Sequence, residues 1–457
     1  MLLGAARIIT SLEKAAKASP ADETLIAAQR GGQVTLRFAH GRVYQNFHEE
    51  DVTVWVKVAW NGRLGVATTC SLKHEALSRA IESAMTIARV SPNPRGASKQ
   101  SSPSFRTSPP TLETPKLTTY FSETALYPLT QVLQMLHRLS SQSTDHGMDL
   151  AGSFVIGEEE LAVVGSRGLT QYQPFSIVGL RLVATQGKAS GFGSQVVRDI
   201  ATLNPEEAAQ RAWKFCRMNK NPKDLRVGKY NVLLEPEAIA ELLEWLIYIG
   251  FGAKQVIERT SFMAGRMGER LMNRQISILD DGANTQGLAA PFDYEGVPKQ
   301  RIALIDQGVA SGIVYDSHYA AMHHKNSTGH AGPYDQFEGP LATNLFLNSG
   351  STPYGELLKR MDNGLWISRF HYVNGLLKPQ EALMTGLTRD GTFLVKNGKV
   401  VGAVKNLRFT QSILEAFSKV LAVSQERKLI ADPAQGLSST VTPALLIKDF
   451  TFTGQTQ

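Results

Sequence analysis

Four histidines crowd one short stretch of this sequence: His318, His323, His324 and His330. Imidazole ligates zinc, copper, iron and nickel, so the crowding raises the prospect of a metal site. The spacing argues against one. Residues five or six apart on a helix do not share a face, and no closely spaced carboxylate completes a metal motif. The expectation is a surface helix running into a loop. His330 stands apart, because in Ser327-Thr328-Gly329-His330-Ala331-Gly332 the glycines let a backbone come close to a ligand or a partner. Asp293, Glu295 and Gly296 form a polar turn between Pro291 and Pro298. A turn needs such residues for its own geometry, and a functional role there is an equal alternative. Asp280-Asp281-Gly282 also suits a turn, with its adjacent acids expected in water. No HExxH helix, GxGxxG loop, P-loop or serine-nucleophile elbow occurs.

The composition sets bounds on these readings. A chain of 457 residues with 42% hydrophobic and 19% charged residues is that of an ordinary globular protein of two or three domains. No apolar run approaches the ~20 residues that span a bilayer. The opening MLLGAARIITSLEKAAKA lacks a basic region before its apolar residues and reads as an amphipathic helix, not a signal peptide. Its two cysteines, Cys70 and Cys216, make no disulfide framework. Together these point to the cytoplasm. The formal charge of +7 and the pI near 9.2 raise the question of nucleic acid. Lys and Arg are spread along the chain without a basic run or a nucleic-acid module, so a solubility charge is the better reading.

The elements that must position these residues are legible in outline. Residues 1–90 read as a small α+β unit: an opening helix, then strands at Val34–Phe38 and Arg42–Phe47. The alternation of Val52, Val54, Val56 and Val58 gives another strand, turned at Asn61-Gly62. Ser71 caps a helix with Leu77, Ile81, Ala84, Met85 and Ala88 on one face. Residues 91–116, rich in Pro, Ser and Thr, form an extended connector. Residues 117–228 repeat the order, with a helix at Pro128–Ser141, strands at Leu161–Gly165, Leu169–Tyr172 and Ile177–Ala184, and a helix at Pro205–Arg217 capped by Asn204. This suggests a structural duplication. Residues 229–457 hold a strand at Tyr230–Leu234 and a helix opened by Pro236 with an apolar face of Ile239, Leu242, Leu243, Leu246, Ile247 and Gly250. Glu237, Glu241 and Glu244 fall mostly on its other side, Glu244 as a solvated carboxylate. A hairpin at Phe393–Val401, a helix at Ser412–Val420 and a strand at Ala444–Phe450 close the chain. The fold class is α+β: small N-terminal α/β units whose helices flank antiparallel strands, and a large antiparallel-β-rich C-terminal domain.

Three segments carry a family resemblance: Pro291-Phe292-Asp293-Tyr294-Glu295-Gly296-Val297-Pro298, Gln300-Arg301 leading to Ile305-Asp306-Gln307-Gly308, and Ser327-Thr328-Gly329-His330. They resemble the signature of the TldD/PmbA family, whose founding pair forms a two-subunit zinc peptidase. The resemblance is strong from Tyr230 to Val404 and weak before that. In the zinc-bearing branch a helix upstream carries His-Glu-x-x-x-His, and a late Cys completes the site. Counting back from Thr260-Ser261-Phe262, those positions fall on Glu244, Trp245 and Ile249, and the late loop reads Gly436-Leu437-Ser438-Ser439-Thr440. Ile249 has no donor atom and Trp245 only an N–H, so Glu244 alone could ligate. The resemblance therefore implies a PmbA/TldE-like chain with no catalytic residue and no bound cofactor. Zinc is expected in a TldD-like paralogue, with which this chain dimerises to degrade or process unfolded or precursor peptides. It also places Ser327, Thr328, Gly329 and His330 at the substrate cleft or subunit boundary, a loop expected to take Gly329→Trp or His330→Glu without loss of the fold. The competing readings are a gyrase-modulator-like binding protein and a stand-alone hydrolase with a site rebuilt around His330.

Overall fold

A strand pattern used twice builds the N-terminal half of the computed structural model, which describes residues 2–91, 113–433 and 437–455. The first unit is α1 (Ala5–Ala18), β1 (Glu23–Ala39), β2 (Arg42–Trp60), β3 (Arg63–Thr69) and α2 (His74–Val90). The second, after a short α3 (Ser122–Ala125), is α4 (Leu129–Asp145), β4 (Asp149–Gly165), β5 (Thr170–Gln186), β6 (Ala189–Val197) and α5 (Pro205–Met218). Antiparallel pairing of β1 with β4 joins them in one six-stranded sheet, ordered β3-β2-β1-β4-β5-β6. Every second side chain faces the helices. Ile26, Val54 and Val56 pack with α1 and α2, and Phe154, Val178 and Leu180 with α4 and α5. The opposite set, Leu25, Ala27, Trp55, Leu161 and Val163, packs against the C-terminal half.

Some local expectations give way. The separate runs at Arg42–Phe47 and Val52–Val58 are one strand, β2, because β1 pairs along its whole length. Ser71 is not the cap of α2: Lys73 holds the cap position, and the Ser71 hydroxyl accepts from the Lys73 N–H at 3.2 Å. Asn204 does cap α5, accepting from the Glu207 N–H at 3.1 Å. Strand β6 escapes a propensity reading because it holds Gly191 and Gly193, yet glycine is what the packing requires. A Cβ at Gly193 would lie 1.9 Å from the Ala208 carbonyl of α5, as one at Gly65 of β3 would lie 1.9 Å from the Ala84 carbonyl of α2. The connector at 91–116 falls mostly outside the described residues.

The C-terminal half runs β7 (Gly228–Leu234), α6 (Pro236–Gly250), α7 (Ala253–Ile257), β8 (Ile278–Asp280), β9 (Ile302–Asp306), β10 (Val309–Ala310), α8 (Ser317–Met322) and β11 (Asn344–Leu347). It continues through α9 (Leu357–Met361), β12 (Gly364–Lys378), β13 (Leu383–Lys396), β14 (Lys399–Ala403), β15 (Leu407–Ser412), α10 (Ile413–Ser418), β16 (Val420–Ile430) and β17 (Ser439–Gln455). All pairings are antiparallel except β7 with β12 and β11 with β17. Strand β17 pairs with β15 near its end and with β7 at its middle, so the path β17-β15-β13-β12-β7 returns on itself. Helix α6 packs Leu242, Leu243, Leu246 and Ile249 into the core shared with Val232, Ile367, Phe370 and Ile447. The hairpin at Asn397-Gly398 forms as expected, with both residues at positive φ. The fold is α+β, and no described helix is long and apolar enough to cross a membrane.

Candidate functional site

The degenerate helix can be tested residue by residue against a zinc site. On α6, Glu244 is exposed, as expected of a solvated carboxylate. Trp245 lies across Gly375 of β12, where an added Cβ would come within 2.7 Å of the indole, and meets Tyr248 edge-on at 5.9 Å. Ile249 is 3% exposed and belongs to the core. In the late loop the Ser438 hydroxyl donates to the Thr343 carbonyl at 3.2 Å, the Ser439 hydroxyl accepts from the Leu288 N–H at 3.0 Å, and Gly436 lies outside the described residues. This donor set does not fit zinc, which needs three imidazole, thiolate or carboxylate ligands. Among the described residues no three His, Cys, Asp or Glu are grouped to hold an ion.

Glu237, expected on the polar side of the helix, is buried. It accepts from Arg211 at 2.7 Å and Lys428 at 2.8 Å, and this pairing outweighs burial to hold its carboxyl below the ordinary range. Partial burial, then Glu244, pushes Glu241 up to about 7. Although the residue as a whole is exposed, desolvation of its carboxyl against neighbouring groups, then the charge of Asp432, raises Glu244 itself.

The signature loops converge at the end of β8. There the expected solvated turn is overturned: Asp280 is fully buried, because β8 sits between β9 and β11. Its Oδ1 lies 2.8 Å from His330 Nε2, and its Oδ2 accepts from the Asn344 N–H at 2.7 Å. Lys299 donates to Thr343 Oγ1 at 2.6 Å and Asn344 Oδ1 at 2.7 Å. Burial alone would raise the Asp280 carboxyl. His330, Lys299 and the Asn344 N–H more than offset it and hold the carboxyl below its ordinary range. Burial pulls the Lys299 ammonium down against the attraction of Asp280 and Asp293.

Thr328 Oγ1 lies 2.9 Å from His330 Nδ1, which completes a hydroxyl–imidazole–carboxylate line. That line is not a nucleophile in waiting. His330 is 2% exposed, and the Thr328 oxygen accepts from the Tyr315 N–H at 2.7 Å and lies 3.1 Å from the Tyr315 carbonyl. Gly329 is close to backbone, as expected, but to this chain's own: at φ +76°, its Cβ would lie 2.3 Å from the Pro298 carbonyl. Contrary to expectation, neither Gly329→Trp nor His330→Glu would spare the fold, since the first meets the Pro298 carbonyl and the second sets a carboxyl against buried Asp280. Ser327 is partly exposed, while His318, His323 and His324 lie on the surface as expected and do not converge with His330.

The turn at Asp293–Gly296 docks the two halves. Asp293 accepts from the N–H groups of Glu295 and Val297 at 2.9 Å and of Ala331 at 2.8 Å. Burial, then neighbouring Glu295, pushes its carboxyl up to about 8 against those three donors. Glu295 receives Lys57 of β2 at 2.7 Å and the Ser317 N–H at 2.9 Å, which hold it low despite burial. Gly296 has φ +74°, and its Cβ would meet Leu169 of the N-terminal half at 2.9 Å. Around this pair the Tyr294 hydroxyl donates to Gln29 at 2.6 Å, and Trp55 Nε1 to Asp335 at 2.7 Å. Sequence reasoning missed Asp280, Lys299, Asn344 and Lys57. Their partners lie tens to hundreds of residues away, and no local pattern marks them.

Residues 227–454 match the family model described as the PmbA/TldA metallopeptidase C-terminal domain, and residues 26–88 match that of domain 1. Metalloprotease PmbA of Escherichia coli O157:H7 is 21% identical over 92% of this chain and 90% of its own length. An uncharacterized protein of Methanocaldococcus jannaschii is 28% identical over 50% of this chain and 54% of its own. A TldD metalloprotease homologue of Buchnera aphidicola is 26% identical over 48% of this chain and 46% of its own. The chain thus spans about half the length of these last two relatives. Among solved structures, TldE from Thermococcus kodakarensis has a TM-score of 0.83 at 19% identity, covering 99% of this chain and 100% of that one. A Thermotoga maritima protein described as a putative modulator of a DNA gyrase has a TM-score of 0.82 at 21% identity, covering 94% and 96%.

Proposed function

We propose, from the premise that this chain belongs to the PmbA/TldD metallopeptidase family, that it is the non-catalytic subunit of a two-subunit zinc peptidase acting on unfolded or precursor peptides. A TldD-like paralogue supplies the zinc, this chain binds none, and the pair works in the cytoplasm. The observation that carries the reading is helix α6, where the positions of the zinc motif hold an exposed Glu244, an indole packed on β12 and an Ile249 committed to the core. Those residues build a helix that packs well and ligates nothing. The chain then contributes shape: joined to its partner through the C-terminal half, it roofs the cleft and excludes folded proteins. Mixing this chain with a His-Glu-x-x-x-His paralogue from the same genome tests the reading. Peptidase activity should rise on mixing, and its indifference to this chain would refute the proposal.

The gyrase-modulator reading is favoured by one observation, the likeness in fold to the Thermotoga maritima protein described in those terms. Salt-sensitive binding of this chain to DNA or gyrase in the absence of any zinc-bearing partner would support it instead. A hydrolase rebuilt around His330 fits poorly, since that imidazole is buried and paired on both nitrogens.

A further inference from the structure

The two repeats of the N-terminal sheet treat equivalent edges differently. In each, the third strand covers only part of the second. Strand β6 pairs with β5 over Val178–Gln186, and β3 with β2 over Val54–Trp60. That leaves the first half of β5 and of β2, on the side away from β4 and β1, without a strand partner.

In the second repeat the chain fills this edge itself. The extended segment 114–121 runs along it: the Ser176 N–H donates to the Thr119 carbonyl at 2.9 Å, the Thr119 hydroxyl to the Pro174 carbonyl at 2.6 Å, and the Phe121 N–H to the Ser176 hydroxyl at 3.0 Å. Farther along, Gln173 Nε2 donates to the Leu117 carbonyl at 3.2 Å. In the first repeat, residues 42–53 of β2 pair with β1 on one side and with no strand on the other among the described residues.

An unpaired edge is a template for another strand, and proteins often blunt one with charge. Blunting by charge alone does not account for this edge, which also displays two aromatic rings, Tyr44 at 68% and Phe47 at 36% exposure. Its charge is mainly acidic, with Glu49, Glu50 and Asp51 all exposed at one end against Arg42 at the other. Across the sheet Gly32 stands between Glu50 and Glu158, and Gly31 between Asp51 and Glu159, so the carboxylates continue onto β4 with no side chain between. Arg30, 3.7 Å from Glu50 and 3.4 Å from Glu160, is a cation set among them, His48 lies 3.7 Å from Glu50, and on β4 Glu158 accepts from the Tyr120 hydroxyl at 3.1 Å.

We propose that the outer edge of β2, residues 42–53, binds an extended basic polypeptide segment as an added strand, as segment 114–121 occupies the equivalent edge of β5. Main-chain pairing would supply affinity, Glu49 and Asp51 on one face and Glu50 on the other would select Lys and Arg, and Phe47, on the face of Glu49 and Asp51, would cover the stems of those side chains. This names a class of polypeptide for the chain and a place to hold it, and it does not depend on a zinc-bearing partner.

The test uses the full chain alone and three fluorescein-labelled ten-residue peptides: alternating Thr and Lys, the same with Glu for Lys, and the Lys peptide with alternate backbone amides N-methylated. Fluorescence anisotropy should show the Lys peptide binding at least tenfold more tightly than either control, and more weakly at high salt. The double variant Glu49→Lys/Asp51→Lys, at two exposed positions, should keep its circular dichroism and reverse the preference towards the Glu peptide. Equal binding of the N-methylated peptide, or a preference unchanged in the double variant, would overturn the proposal. So would a concentration-dependent dimer of the chain that the double variant abolishes, since a second copy would then occupy the edge.

Discussion

His330 and Asp280 show what single residues contribute here. Each is buried and satisfied by the other, so removing one leaves a buried polar group without its partner, a loss of about 1–3 kcal/mol and more where the group left behind is charged. His330→Ala should lower the unfolding free energy by about 3 kcal/mol in urea melts. Glu244→Ala, on the exposed face of α6, should stay within about 0.5 kcal/mol of the parent. The pH dependence follows from the sign of the Asp280 shift. Its folded carboxyl lies below its unfolded value, so the stabilisation is complete above that value, about 3.9, and is lost as pH falls through the folded one. The gap between parent and His330→Ala should therefore narrow on acidification below about pH 4. A gap that widened there would contradict the assignment.

Helix α6 and the signature turn show what elements settle. The three- and four-residue spacing of leucines and isoleucines was enough to place α6 and its buried face, because periodicity reports which face is buried. It could not report that Glu237 is buried, since Arg211 and Lys428, which neutralise it, come from α5 and β16. The strands of the N-terminal sheet were visible only as fragments: alternation fades where β2 is exposed on both faces at Glu49–Asp51, and glycine hides β6. Asp280 was misread for the same reason, its burial being set by β9 and β11, which pair with it from Ile302 and Leu345. Two consequences can be measured. Ile249→His puts a polar ring into an apolar core and should cost about 1–3 kcal/mol, so Glu244→His/Trp245→Glu/Ile249→His should melt earlier than the parent and bind zinc weakly at best in calorimetry. Gly329→Ala should also lower the melting temperature, because a Cβ there meets the Pro298 carbonyl and φ +76° disfavours alanine.

At the scale of the whole molecule, the N-terminal sheet lays one face on the signature loops and fixes them through Lys57–Glu295, Trp55–Asp335 and Tyr294–Gln29. The Asp293–Gly296 turn of the family signature serves here to join the halves of one chain. The most direct measurement pairs metal analysis with peptide hydrolysis for this chain alone, for a zinc-bearing paralogue alone and for their equimolar mixture. The account predicts no stoichiometric zinc and no cleavage for this chain, one zinc per pair in the mixture, and hydrolysis of an unfolded peptide that exceeds that of the paralogue alone. One zinc per chain in the isolated protein, with peptide cleavage abolished by a chelator, would contradict it.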